Sequence, residues 1–89
     1  MTRYTVVWLE DAQDELARIW LDAEDRQVVT QASADIDASL AVDPASKGDH
    51  LSEGLWRFRM PPLEVAFAIR EQDRIVEISN VKTVRIRRA

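Results

Sequence analysis

Hydrophobic positions along this chain recur first with a period of two, then of about 3.6, then of two again, and the changes mark its elements. Residues 3–9, RYTVVWL, are β-branched and aromatic. Tyr4, Val6 and Trp8 fall on one face and Thr5, Val7 and Leu9 on the other. Both faces are largely apolar, which predicts a strand well inside a sheet. From Glu10 the pattern turns helical: Ala12, Leu16, Ile19, Trp20 and Ala23 form one stripe, with Glu10 and Asp11 in the turn where the helix dipole favours carboxylates. Val29, Ala32, Ile36 and Leu40 form a second stripe. Asp22 is the expected N-cap of that second helix, Asp25 holds the capping-box position, and Pro44 ends it. Residues 42–53, VDPASKGDHLSE, are rich in turn formers and predict a loop.

The period of two returns in three successive strands. Residues 55–60 place Leu55, Arg57 and Arg59 on one face and Trp56, Phe58 and Met60 on the other. Pro61 and Pro62 join them to residues 63–70, where Leu63, Val65, Phe67 and Ile69 alternate with Glu64, Ala66, Ala68 and Arg70. Glu71, Gln72 and Asp73 close the next hairpin, and residues 74–82 form the last strand, with Val76 and Ile78 opposite Ile75, Glu77 and Ser79. The order β-α-α-β-β-β predicts a single α+β domain over residues 1–89. In it a helical hairpin packs on one face of a mostly antiparallel four-stranded sheet, whose other face stays partly open.

Composition changes this picture little, but charge changes it more. With 89 residues and 46% hydrophobic content, one core is feasible without covalent staples. The absence of cysteine excludes disulfides and thiolate metal sites, and nothing in the sequence calls for a cofactor or a metal. No segment has the length of a signal peptide or membrane span, so a cytoplasmic location without a membrane partner is expected. The net charge of −4 conceals an asymmetry: 12 acidic and 4 basic residues lie in 1–53, against 4 acidic and 8 basic in 54–89. The basic half can attract phosphate or an acidic partner, provided that the acidic helices face away from it.

Several of these segments resemble a known family. Tyr4, Val6 and Trp8 followed by Ala12, Leu16 and Ile19 are similar to the first strand and helix of the RelE/ParE toxin superfamily, and Asp43-Pro44 and Lys47-Gly48 fit the segment after its second helix. The run from Leu51 through Glu53, Gly54, Trp56, Arg57 and Arg59, then Val65-Ala66-Phe67 and Arg74-Ile75-Val76, resembles its strand signature. The resemblance implies a bacterial toxin of a type II toxin-antitoxin system that inhibits growth and is neutralised by a cognate antitoxin. RelE-like members are mRNA interferases that cut mRNA on the ribosome, whereas ParE-like members poison DNA gyrase. It also implies a site: Arg57 matches the arginine of the strand motif, and Lys82 and Arg85 lie where nuclease members carry functional basic residues. Arg59 shares the Arg57 face, which completes a candidate catalytic set of Arg57, Arg59, Lys82 and Arg85. Arg70, Arg87 and Arg88 are candidates for RNA or partner binding.

The chain departs from the nuclease pattern at two places. Pro62-Leu63-Glu64 stands where members carry a further arginine, and the segment 81–85 lacks the tyrosine or histidine found near their C-termini. The only tyrosine is Tyr4 and the only histidine is His50. A positioned general acid or base contributes on the order of 10²–10⁴ in rate, and arginine stays protonated. The cations therefore suit phosphate binding better than proton transfer, and a non-catalytic binding module stands beside the nuclease reading. Arg57 and Arg59 also have a purely structural role open to them, as cross-strand partners of Glu64 and Glu77. His50 reads as either a loop catalyst or an exposed loop residue, and Trp8 and Trp56 as a stacking platform or core. Trp20, on the helix stripe, reads as core.

Overall fold

The structure, a computed structural model, describes residues 3–85. Strand β1 (Thr5–Trp8) leads into helix α1 (Glu10–Asp22) and helix α2 (Arg26–Leu40), followed by a single helical turn, α3 (Pro44–Lys47). Four strands complete the chain: β2 (Asp49–Ser52), β3 (Leu55–Met60), β4 (Leu63–Arg70) and β5 (Ile75–Thr83). They form one five-stranded sheet in the order β1-β5-β4-β3-β2. The β2–β3, β3–β4 and β4–β5 pairs are antiparallel, but β1 runs parallel to β5.

The expected α+β architecture holds, with helices packed on one face of the sheet, but the sheet is mixed and has five strands rather than four. The additional strand, β2, falls inside the expected loop, and all four of its residues are exposed. With only Leu51 apolar in DHLS, it lacks the alternation by which a strand is recognised. The opening strand lies at an edge of the sheet, not inside it. Its apolar outer face carries Val7, 37% exposed.

Ala12 of α1 and Val29, Ala32, Ile36 and Leu40 of α2 are buried against Leu63, Val65 and Phe67 of β4 and Val76, Ile78 and Val81 of β5. The second stripe is therefore core throughout. Trp20 is not: it is 38% exposed, with the Arg26 guanidinium 4.6 Å above its ring and its indole N–H donating to Thr30 Oγ1 at 3.1 Å. The cap of α2 also differs from expectation. Asp22 ends α1, and Asp25 is the N-cap, its carboxylate accepting from the N–H groups of Gln27 and Val28. Lys47 Nζ donates to the carbonyls of Ser39 and Val42 at 3.3 and 3.0 Å, covering the C-terminal end of α2. Gly48 is required by close approach, because a Cβ there would lie 2.8 Å from Phe67 Cζ and 3.0 Å from the Arg57 carbonyl oxygen.

A bulge in β5 decides which side chains reach the open face. Ile78 pairs with Phe67 and Asn80 with Ala66, so Ser79 is an extra residue with no partner on β4. Strict alternation through 74–82 would put Lys82 on the same side as Val76 and Ile78, in the core. The bulge inverts that order, and Val81 is buried while Lys82 is exposed. Among the described residues no helix is long and apolar enough to cross a membrane.

Candidate functional site

The face of the sheet turned away from the helices carries two cross-strand rows of polar side chains. In the first, Arg59 of β3, Glu64 of β4 and Lys82 of β5 stand directly opposite one another. In the second, Asp49, Arg57, Ala66 and Asn80 are aligned across β2, β3, β4 and β5. Residues two apart on a strand share a face, so the rows are neighbours.

Glu64 is the centre of the first row. It is 5% exposed, the one charged residue in the buried set of the described chain. Its Oε1 accepts from Arg59, with Nη2 at 2.9 Å and Nε at 3.0 Å, while Lys82 Nζ lies 3.2 Å from its Oε2. Both cations keep most of their own surface in water. Burial pushes the Glu64 carboxyl upward in pKa, but hydrogen bonds from Arg59 and Lys82 and their charges outweigh it and hold the group below the usual glutamate value. Glu64 is thus an ionised, weakly basic carboxylate at neutral pH.

Arg57 is held more loosely. Its Nη2 lies 3.5 Å from Asp49 Oδ2, and the Asp49 side chain is 78% exposed. Because Ala66 opposite it is small, the sheet dips there, leaving a depression of about 280 Å³ bounded by Leu51, Arg57, Asn80 and Lys82 with Glu64 and Ala66 at its base. Asp49, Ala66 and Asn80 are the members that sequence reasoning missed. Asp49 was hidden in the expected loop, and the two small uncharged residues carry no signal until the register is known.

The candidates divide. Arg57, Arg59 and Lys82 are brought together, and Arg85 follows on the same chain end, exposed, where the Val84 N–H donates to the Pro62 carbonyl at 2.9 Å. Arg70 is elsewhere: it pairs with Glu77 at 2.8 Å, six residues along β4 from Glu64, or about 20 Å at strand rise. Arg87 and Arg88 lie outside the described residues. The cross-strand pairing weighed from sequence is realised, though with a different allocation. Glu64 serves Arg59 and Lys82, Glu77 serves Arg70, and Arg57 turns to Asp49.

None of the other candidate acid–base or stacking groups joins this cluster. His50 is on a strand and not in a loop, and it pairs with Trp56, their rings 4.9 Å apart at 62°, on the face opposite Arg57. Tyr4 donates its hydroxyl to Glu71 at 2.7 Å, a bond that raises the phenol above its usual pKa. Trp8 and Trp56 pack against the core from the helix side, Trp8 donating to Asp37 at 3.3 Å. Phosphate or another anion is what this face can hold, through guanidinium and ammonium donors. The first helix is acidic and lies across the sheet from these cations, so the charge asymmetry of the sequence is sorted by layer.

No family model matches the chain, and no curated protein matches it by sequence. Solved structures do match its fold. The toxin-antitoxin complex RelBE2 from Mycobacterium tuberculosis superposes with a TM-score of 0.79 at 18% identity, covering 94% of both chains. The archaeal RelE-RelB complex from Pyrococcus horikoshii OT3 gives 0.68 at 15% identity over 93% of this chain and 96% of that one. The isolated Escherichia coli RelE toxin gives 0.65 at 11% identity over 94% and 87%. The chain has the fold of RelE toxins.

Proposed function

We propose that this chain is the toxin of a bacterial type II toxin-antitoxin pair, neutralised by a cognate antitoxin. The observation that carries this is the superposition over 94% of both chains on a protein solved within a RelBE toxin-antitoxin complex. The shared fold extends over the whole domain, and because one fold hosts several functions the reading also draws on the cationic sheet face. Expression of the chain arrests growth, and co-expression with the product of an adjoining short open reading frame relieves the arrest and copurifies. Normal growth on induction, with no neighbouring product that binds, refutes the reading.

The cationic face supports a RelE-like action on mRNA in preference to a ParE-like action on gyrase. Arg57 holds the scissile phosphate and offsets the charge that builds on it as the ribose 2′-oxygen attacks and the 5′-oxygen leaves, Arg59 and Lys82 hold the adjoining backbone, and Arg85 extends the contact. Their part is positioning and charge stabilisation. The arginines stay protonated, and Glu64 is too weak a base, so proton transfer is not carried by this row. Toe-printing of a translated message reads the outcome. Cuts at the ribosomal A site that disappear with Arg57→Ala support cleavage. Growth arrest with intact message and cleaved DNA on gyrase supports the ParE-like alternative, and antitoxin binding without arrest identifies a non-catalytic binding module.

A further inference from the structure

The row Arg59–Glu64–Lys82 has a feature that a phosphate-binding row does not need: a buried carboxylate at its centre. We propose that Glu64 is a built-in counter-anion, seated where a phosphate would bridge Arg59 and Lys82, and that it sets the affinity and selectivity of the open face. The proposal rests on reading that face as a surface for a phosphate backbone.

Three observations carry it. Both carboxylate oxygens are engaged, Oε1 by Arg59 and Oε2 by Lys82, so the two cations are already bridged by one anion from below. The bridge is nearly closed to solvent at the carboxylate but open at the cations, whose side chains are 59% and 65% exposed. A ligand therefore meets the outer N–H groups of two cations that share one fixed negative charge beneath them, so the row offers a single net positive charge in place of two. Arg57, by contrast, has only an exposed carboxylate at 3.5 Å, which water screens and a ligand displaces.

The consequence is an order of engagement. The first phosphate seats on Arg57 over the Ala66 depression, and neighbouring phosphates gain only the outer donors of Arg59 and Lys82. A lone phosphate gains too little from a single loosely held arginine, and a strand that reaches both rows gains more. Glu64 thus selects for a polymeric phosphate backbone over free phosphate and keeps adventitious anions off the row.

The test is fluorescence anisotropy with a 5′-labelled 12-nucleotide oligouridine RNA, measured across a salt series, with inorganic phosphate as competitor. Glu64→Gln, which keeps the shape of the side chain, tightens RNA binding about tenfold. It also steepens the salt dependence by about 0.7, the one unit of positive charge that it uncovers on a single strand, and lets phosphate compete at lower concentration. Glu77→Gln, which adds the same charge beside Arg70, produces a much smaller change. Wild-type binding that Glu64→Gln leaves unchanged or weakens overturns the proposal alone, as does equal tightening by Glu77→Gln. Absence of RNA binding in both the wild type and a folded Glu64→Gln overturns the phosphate reading together with it. Should Glu64→Gln not fold, Lys82→Gln and Arg57→Gln decide. The counter-anion predicts a smaller loss of affinity for Lys82→Gln, and an equal or larger loss overturns it.

Discussion

Glu64 and Lys82 stand opposite each other on neighbouring antiparallel strands, with Nζ 3.2 Å from Oε2 of a carboxylate that is 5% exposed. The two residues share a face only because β5 carries an extra residue between them and the core pairs upstream. The pair is at once a structural tie between strands and part of the surface assigned to phosphate. That double role makes its response to acid informative.

Glu64 has a folded-state pKa below its ordinary value of 4.5. A carboxyl depressed in this way contributes stability that is fully present above the unfolded value and is lost as pH falls through the folded one. Acidification from neutral pH should therefore leave this contribution intact down to about 4.5 and remove it below. In urea titrations, wild-type protein exceeds Glu64→Gln in stability at neutral pH, and the difference narrows below pH 4.5. A gap that is constant across that window contradicts the assignment.

Asp25, not Asp22, caps α2. Replacing Asp25 with alanine leaves the N–H groups of Gln27 and Val28 without their shared acceptor and should cost about 1 kcal/mol. Asp22→Ala, at the exposed last residue of α1, should change stability by no more than about 0.5 kcal/mol. Chemical denaturation of the two variants ranks them, and the reverse order would return the cap to Asp22.

That misplaced cap shows what the sequence could and could not convey. Periodicity placed both helices and the β3–β4 hairpin because their apolar positions recur locally at helical or strand spacing. The start of α2 depends on how Ala23 turns out of α1 with an extended backbone, a tertiary matter. The same holds for β1, whose partner is β5 across almost the whole chain, and for β2, which pairs through its backbone and shows scarcely any apolar pattern. Arg57 and Arg59 were legible as a cationic pair because strand alternation fixes their face. Lys82 was placed beside them by resemblance, against what unbroken alternation would give. Trp20 illustrates the opposite error, since a helix stripe one residue too wide reached a surface position where Arg26 and Thr30 receive it.

Gly48 sits between Phe67 and the backbone of Arg57. Gly48→Ala must push a methyl group against the most deeply buried aromatic ring and against β3, where no flexible side-chain end can yield on the backbone side. The expected loss is about 1–3 kcal/mol, as for other overpacked sites. Thermal melts check it, and an unchanged melting temperature would mean that α3 and β2 are free to move apart.

Arg57 has the looser ion pair and the depression beside it, so it is the cation whose loss should matter most to activity. Arg57→Ala is expected to reduce growth arrest by about a hundredfold or more at equal expression, the scale of one charge-stabilising donor. Arg18→Ala, on the exposed side of α1 with only Glu15 at 3.4 Å, should leave the arrest unchanged. Viability counts after induction separate the two, and equal effects would detach the activity from the sheet face.

The bulge at Ser79 makes β5 a strand read in two frames. Upstream residues follow one parity of residue number and downstream residues the other, because Ser79 counts in the chain but not in the pairing with β4. Deleting Ser79 would let Asn80 follow Ile78 in regular alternation, with Val81 still inward and Lys82 still opposite Glu64, whereas drawing Ser79 into the ladder would send Lys82 inward and Val81 outward together. The reach of the site across β5 therefore depends on one residue staying out of the ladder, and a chain of this fold can turn its third cation outward or inward with every side chain unchanged.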